Sequence, residues 1–301
     1  MTRSVLAVIN PATGRTPAPD IAERLRREAA ARGIVIHIAH TERPGHAIEI
    51  ARNHPEDIDT IIAVGGDGTV SDVVTGARQE PLTIAIIPVG STNIIAKDLG
   101  IPRDLDAAMR VALGDGRPFA IDVATAGKTT FIHMAGAGFD AAMMRDASRS
   151  LKRRLGWVAY IPAALRHLRY PLFEATITVD GRTLILPARV VLFALGSSIV
   201  SPRFKVGEGI DRTDGIIDVC VFDPPSLLSS LTCVVWIALG KPCRSRWQHQ
   251  LRGSVVSLDT DRPVPFEVDG DPLGVVPVDI KVSHRTVQIL VPQETGAELR
   301  A

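Results

Sequence analysis

The sequence predicts a two-domain protein of the α/β plus β class, an N-terminal doubly wound α/β nucleotide-binding domain followed by a C-terminal antiparallel β-sandwich. Three observations carry that reading. From Ser4 to Leu113, short β-branched and aliphatic runs alternate with amphipathic helical segments, as parallel strands joined by helices do. After Gly116-Arg117-Pro118 the period drops to two: Phe173, Ala175, Ile177 and Val179 alternate with Glu174, Thr176, Thr178 and Asp180. The 301 residues, 46% hydrophobic, are enough for two buried cores.

Composition narrows the function. The 34 Lys and Arg balance 33 Asp and Glu to a net charge of +1, so no basic field argues for nucleic acid. Cys220, Cys233 and Cys243 form no close pair, which argues against a disulfide framework or a zinc site and suits a reducing compartment. The run Ser4 to Ile9 is too short for a signal-peptide core. The later apolar stretch Leu227 to Leu239, interrupted by Ser229, Ser230 and Thr232, is too short to cross a bilayer. The expectation is a soluble, cytoplasmic protein with at most peripheral contact at the inner membrane face.

Ser4 to Ile9 reads as a first strand buried on both faces, turned by Asn10-Pro11-Ala12-Thr13-Gly14. A helix follows, with Asp20 and Glu23 in a capping-box pattern, Ile21 and Leu25 on the apolar stripe and Gly33 at the C-terminal cap. Ile34 to Ala39 is a second strand, Gly45 to Arg52 a short helix and Thr60 to Val64 a third strand. That strand stops in Gly65-Gly66-Asp67-Gly68-Thr69, where Thr69 can open a helix whose apolar side is Val70, Val73 and Val74. Thr83 to Pro88 is a fourth strand, ending in Gly90-Ser91-Thr92-Asn93. The next helix runs to Leu99 and is closed by Gly100, and Asp104 caps one more through Leu113.

In the second half, β runs fall near 119–125, 129–134, 188–195, 216–222, 254–259, 276–282 and 285–291. Asp180-Gly181 marks a hairpin, and helical insertions are expected near 141–169 and 226–240. The domain limits are 1–120 and 121–285, with 286–301 returning to the first domain.

Strands of a parallel sheet present ligands at their carboxyl ends, so the turns Asn10–Gly14, Gly65–Thr69 and Gly90–Asn93 converge on one crevice. Glycines that admit close main-chain approach, followed by a helix N-terminus, favour an anion such as a phosphate. A tight ligand-free turn is the other reading of the same residues. Neither a Gly-x-Gly-x-x-Gly fingerprint after the first strand nor a Walker loop is present. Asp211-Arg212-Thr213-Asp214-Gly215-Ile216 places two carboxylates where they suit a hard cation or an acidic β-turn. Asp269-Gly270-Asp271 reads by its spacing more readily as a surface hairpin than as a site. Arg145 to Tyr170, cationic and aromatic-bearing, suits either anionic lipid headgroups or a charged helix face.

Taken together, Asn10-Pro11-Ala12-Thr13-Gly14, Gly65-Gly66-Asp67-Gly68-Thr69, Pro88-Val89-Gly90-Ser91-Thr92-Asn93 and Asp269-Gly270-Asp271 resemble, in order and approximate spacing, the diacylglycerol kinase catalytic family. That family takes in bacterial diacylglycerol kinases, YegS-like lipid kinases and the sphingosine and ceramide kinases. The resemblance implies an ATP- and Mg²⁺-dependent lipid kinase acting on a hydroxyl of diacylglycerol or a related lipid, with ATP on the first domain and the lipid between the domains. It assigns nucleotide binding to Asn10, Pro11, Ala12, Thr13, Gly14, Thr41, Gly65, Gly66, Asp67, Gly68, Thr69, Thr92 and Asn93. It assigns a structural Mg²⁺ to Asp211, Asp214 and the carbonyl of Ile216, and catalysis to Asp271 as general base with Asp269 beside it. The chain departs from the family pattern at Asp271, where Glu is usual, at Ser71-Asp72 and in the glycine-poor loop 196–203.

The partners it implies are a diacylglycerol-like lipid and a membrane surface, without nucleic acid; a homodimer is compatible with it. Gly-Gly-Asp-Gly-Thr is shared with NAD kinases, so an NAD kinase-like enzyme and a catalytically inactive nucleotide-binding regulator stand as alternatives.

Overall fold

Residues 3–14, 16–78, 81–146, 161–167, 169–199 and 202–294 are described by a computed structural model. The chain divides into two units, Met1–Ile121 with Arg285–Ala301, and Asp122–His284.

In the first unit, β1 (Ser4–Ile9) is buried along its whole length. It lies parallel between β2 (Val35–His40) and β3 (Thr60–Gly65), and β4 (Thr83–Pro88) continues the parallel sheet beyond β3. The final strand of the chain joins on the far side of β4, through Gln288 and Ile289. Apolar runs fill these strands because helices cover both faces. Val5, Ala7, Ile9, Ile62, Val64, Ala85 and Ile87 pack with Ile21, Leu25 and Ala29 of α1 (Ala18–Ala31). The alternate residues Leu6, Val8, Ile61, Ala63, Ile84 and Ile86 are equally buried. Here α2 (His46–Arg52) and α3 (Asp67–Ala77) pack on the strands and on each other. Gly76 permits that contact, since a Cβ there would stand 2.5 Å from the Ile48 carbonyl oxygen. Two shorter helices follow, α4 (Ile94–Asp98) and α5 (Leu105–Arg110); Asp104 caps the latter by accepting from the Ala107 N–H at 2.9 Å.

Two local expectations change. The Asp20–Glu23 capping box is not formed: α1 starts at Ala18 and has no side-chain cap. Pro19 is well suited to a first helical turn, which pulls the start forward and leaves Asp20 inside that turn, where its charge favours the helix dipole. Similarly α3 opens at Asp67, two residues ahead of Thr69, directly out of the glycines.

The second unit is a sandwich. Ten strands complete or enter it: β5 (Gly116–Ala126), β6 (Thr129–Phe131), β7 (Met134–Gly138), β8 (Phe173–Val179), β9 (Arg182–Ala188), β10 (Val190–Ala194), β11 (Ile217–Phe222), β12 (Gln248–Gly253), β13 (Val255–Thr260) and β14 (Pro265–Val268). They are joined by β15 (Asp271–Val275) and the first part of β16 (Val278–Pro292). One sheet is antiparallel throughout, in the order β12-β11-β10-β7-β14-β15. The facing layer runs β9-β8-β13-β16, also antiparallel. Their inner residues share one core: Ala135, Phe193, Val219 and Phe266 from the first sheet, Phe173, Ile177, Val256 and Ile280 from the second.

The runs near 276–282 and 285–291 form one strand rather than two, with Arg285 at φ 47° inside it. Strand β7 falls beyond the run expected near 129–134, which is β6; β12, β14 and β15 are further additions. Of these, β12 and β15 lie at the sheet edges, where Gln, His, Pro and Gly are tolerated and no apolar alternation is imposed. The helical insertions are α6 (Phe139–Asp146), α7 (Ile161–His167) and α8 (Leu227–Ala238). Within the cationic stretch Arg145–Tyr170, residues 147–160 and 168 lie outside the described residues. Among the described residues no helix is long and apolar enough to cross a membrane.

Candidate functional site

The sheet of the first unit reverses its winding at β1, which has β2 on one side and β3 on the other. Such a switch point opens a crevice at the carboxyl ends of the strands. The turns that follow β1, β3 and β4 meet there. Asn10 donates from Nδ2 to Thr69 Oγ1 at 3.1 Å, tying the first turn to the second. Its Oδ1 accepts from the Ala12 N–H at 3.0 Å, and its carbonyl accepts the Thr13 hydroxyl at 3.0 Å, which folds Asn10–Gly14 back on itself. The Val89 and Gly90 N–H groups both donate to the Gly65 carbonyl, at 3.0 and 3.2 Å, tying the second turn to the third.

Glycine is required where these turns touch. A Cβ on Gly90 would stand 2.5 Å from Gly66 Cα and 2.6 Å from Asn93 Oδ1, and one on Gly65 would collide with the Thr69 side chain. Gly14 is left-handed at φ +89°, where a side chain is strained, and a Cβ there would crowd the Val89 carbonyl at 3.1 Å. The result is a shallow cradle of main chain ending at the first turn of α3. The N–H groups of that turn have no acceptor within the helix, so they are available to an anion. Asp67 accepts the Ile95 N–H of α4 at 3.0 Å through Oδ1. Asn93 is left-handed and 3% exposed; it donates to the Gly90 carbonyl at 2.8 Å, while its Oδ1 is buried without a hydrogen-bond partner. Thr41 is buried behind the first turn, its N–H donating to the Ile9 carbonyl, and Thr92 is half-buried.

The acidic loop of the second unit is internally bonded. Asp211 Oδ1 accepts from the Thr213 N–H at 2.9 Å and the Thr213 hydroxyl at 2.7 Å. Asp214 Oδ1 accepts from the Ile216 N–H at 3.0 Å, and its Oδ2 meets the Arg252 guanidinium at 2.7 Å. Oxygen donors of this kind suit Mg²⁺, but Arg252 already neutralises Asp214. Groups of three or more His, Cys, Asp or Glu spaced for a metal are absent among the described residues.

Asp269 and Gly270, at φ 47° and 90°, form the two-residue turn between β14 and β15, the conformation that Asp-Gly favours in a hairpin. The two acids of that turn are placed differently. Asp269 points inward and accepts three main-chain N–H groups, from Ile132 at 3.3 Å, His133 at 3.3 Å and Met134 at 3.0 Å. Asp271 opens β15 and is exposed. Asp271 is therefore the more exposed of the two, Asp269 being half-buried.

Sequence reading passed over three acids that the fold brings to these loops. Asp122, fully buried, accepts from the Gly215 N–H at 2.7 Å and pairs with His284 Nδ1 at 3.0 Å, bracing the acidic loop. Glu267, 2% exposed, accepts the Gly270 N–H at 2.6 Å, and Asp140 of α6 is bonded to Glu267. Burial holds the Glu267 carboxyl well above the usual range, with the charge of Asp140 adding to it; burial likewise raises Asp140. The available signal was an acid set inside an apolar run, as in Phe119-Ala120-Ile121-Asp122-Val123 and Phe266-Glu267-Val268.

Comparison with known proteins follows the same division. Residues 4–126 match the diacylglycerol kinase catalytic domain, and residues 133–291 match the YegS C-terminal NAD kinase beta sandwich-like domain. A Klebsiella pneumoniae protein named probable lipid kinase YegS-like is 34% identical over 252 residues, 80% of this chain and 81% of its own. The diacylglycerol kinase of Bacillus subtilis is 28% identical over 251 residues, covering 81% of each chain. A Synechocystis protein of unstated activity is 33% identical over 242 residues, 78% of this chain but only 55% of its own length. Among solved structures, a diacylglycerol kinase from Bacillus anthracis superposes with a TM-score of 0.76 at 21% identity, over 97% of this chain and 98% of that one.

Proposed function

The chain belongs to the diacylglycerol kinase and YegS-like lipid kinase family, and from that premise we propose that it transfers the γ-phosphate of ATP to a hydroxyl of diacylglycerol or a related lipid. The observation that carries the proposal is the glycine cradle of Gly14, Gly65, Gly66 and Gly90 at the start of α3, a main-chain surface suited to phosphate oxygens. In this reading the α3 N–H groups hold the donor phosphates, and the Asn10–Thr69 hydrogen bond keeps two of the three turns in register. Asn93 Oδ1 is a buried acceptor suited to a hydroxyl or amino group of the nucleotide.

In the second unit Asp271 orients the lipid hydroxyl and takes its proton, while Asp269 holds the hairpin that carries it. A base in phosphoryl transfer acts late, so placement of the hydroxyl is its main contribution. Mg²⁺ accompanying the nucleotide would supply charge neutralisation on the phosphates, and a separate, structural Mg²⁺ is proposed for the acidic loop of the second unit. Asp211, Asp214 and the Ile216 carbonyl offer hard oxygen donors of the right kind, and a cation on that loop would bind in competition with Arg252.

Peripheral contact with the cytoplasmic face of a membrane is part of the proposal. Helix α8 buries only Ser229 and Cys233, whereas Leu228 is 75% exposed, Val234 59% and Leu239 61%. No acid occurs between Asp223 and Asp259, and Lys241, Arg244 and Arg246 follow the helix. An apolar face with a cationic flank suits anionic lipid headgroups.

Transfer of labelled phosphate from ATP to a panel of lipids in mixed micelles tests the activity. Label in a lipid hydroxyl supports it. ATP binding without transfer to any lipid favours an inactive nucleotide-binding regulator. Formation of NADP from NAD and ATP favours an NAD kinase-like enzyme, the reading suggested by the likeness of the C-terminal domain.

A further inference from the structure

Behind the Asp269–Asp271 hairpin lies a pair of carboxyl groups for which phosphoryl transfer has no direct use. Glu267 in β14 sends Oε2 to the Gly270 N–H at 2.6 Å and bonds Asp140 at the start of α6. Both carboxyls converge on Gly136 of β7. A Cβ there would stand 2.4 Å from Asp140 Oδ2 and 3.0 Å from Glu267 Oε1, so a side chain at this position would displace the two carboxyl groups. Glu267 is 2% exposed; Asp140 retains some surface, but its carboxyl end is enclosed by enough protein that desolvation dominates its titration. Two buried carboxyls in contact cannot both ionise, and such a pair holds one proton. The other charge facing Glu267 is Asp269, already held by three N–H groups; β7 contributes no charged residue, and Asp271 on β15 is exposed.

We propose that Asp140 and Glu267 act as a one-proton positioning pair that locks the Asp269–Gly270 turn and thereby fixes where Asp271 presents its carboxylate to the lipid hydroxyl. The role in transfer rests on the reading of Asp271 as general base. The shared proton lets one Glu267 oxygen bind Asp140 while the other accepts Gly270. Without the proton two anions face each other under the turn and the Asp140–Glu267 contact gives way, which leaves Glu267 and the turn it holds without their brace from α6, although an ionised Glu267 is the better acceptor for the Gly270 N–H.

The sign of the pH dependence follows from which state keeps the proton. Unfolded carboxyls ionise above roughly pH 4 to 4.5, whereas the folded pair retains its proton to higher pH. The folded state then binds more protons than the unfolded one, so stability falls as pH rises from there to the pair's own pKa.

The test compares the full chain with Glu267→Gln, Glu267→Ala and Asp140→Asn, by infrared detection of protonated carboxyl, by Tm against pH, and by kcat and KM. Glu267→Gln keeps an acceptor for Gly270 and offers an amide donor to Asp140. It should abolish the buried protonated-carboxyl band, flatten the alkaline fall of Tm and hold kcat within about threefold at neutral pH, with the alkaline fall of kcat reduced. Glu267→Ala should lower kcat by about tenfold or more with the KM for ATP unchanged, the pattern of a misplaced reacting group. A persisting infrared band in both Glu267→Gln and Asp140→Asn, or wild-type kcat in Glu267→Ala, overturns the proposal. Full turnover in Asp271→Asn overturns instead the link from the pair to transfer, and leaves the band and the Tm profile intact, so the two failures are distinguishable.

Discussion

The turns around Gly66 and Gly90 make a binding surface out of main chain, whereas the hairpin at Asp269–Asp271 makes one out of carboxylates that main chain holds in place. In the first case the residue type is dictated by distance: a Cβ on Gly90 would lie 2.5 Å from Gly66 Cα, and no rotamer relieves that. In the second case it is dictated by electrostatics. Asp269 accepts three N–H groups, burial and the neighbouring Asp140 raise the Glu267 carboxyl, and Asp271 is left exposed. A surface of main chain tolerates almost no added atoms but carries little pH sensitivity of its own. A surface of carboxylates tolerates conservative changes of shape and is sensitive to protonation.

That contrast can be broken at either end. The largest effect is expected for Gly90→Ala, which forces the second and third turns apart. Displacement of about 1 Å in a positioned site costs on the order of 100-fold in rate, and ATP affinity measured by calorimetry should fall with it. If Gly90→Ala binds ATP normally, the cradle is not the nucleotide site. Next comes Asp269→Ala, which strands the N–H groups of Ile132, His133 and Met134. Leaving buried donors unpaired costs about 1–3 kcal/mol, read as a lower denaturation midpoint; because the loss lies in the second unit, ATP affinity should be unchanged. Smallest is Asn10→Ala, which removes the bond to Thr69 and the Ala12 turn bond. It should cost about 1 kcal/mol of stability and weaken ATP binding slightly, leaving the pH profile of turnover as in the wild type.

The same contrast explains what the sequence made legible. Strands β1, β3 and β4 are apolar end to end because both faces are covered, so their bounds are readable to within a residue. Gly65 and Gly90 are readable because close approach leaves one residue type. The Asp269-Gly270 turn is readable from its hairpin chemistry, and the four motifs in order identify the family. Asp140 and Glu267 were not readable as a pair, since they lie on different elements and only the packing of α6 against β14 brings them to Gly136. Nor was the division of labour between Asp269 and Asp271, two residues of one turn whose side chains face opposite environments. Edge strands β12 and β15 were missed because solvent, rather than a core, selects their residues.

The most direct test of the account is ATP binding and lipid phosphorylation measured side by side on Asp271→Asn. The main-chain cradle lies in the first unit and makes no use of this side chain, so the account predicts unchanged ATP affinity with turnover reduced by roughly 100-fold or more, the range for loss of a positioned base. Wild-type turnover in that variant, or loss of ATP binding, would contradict it.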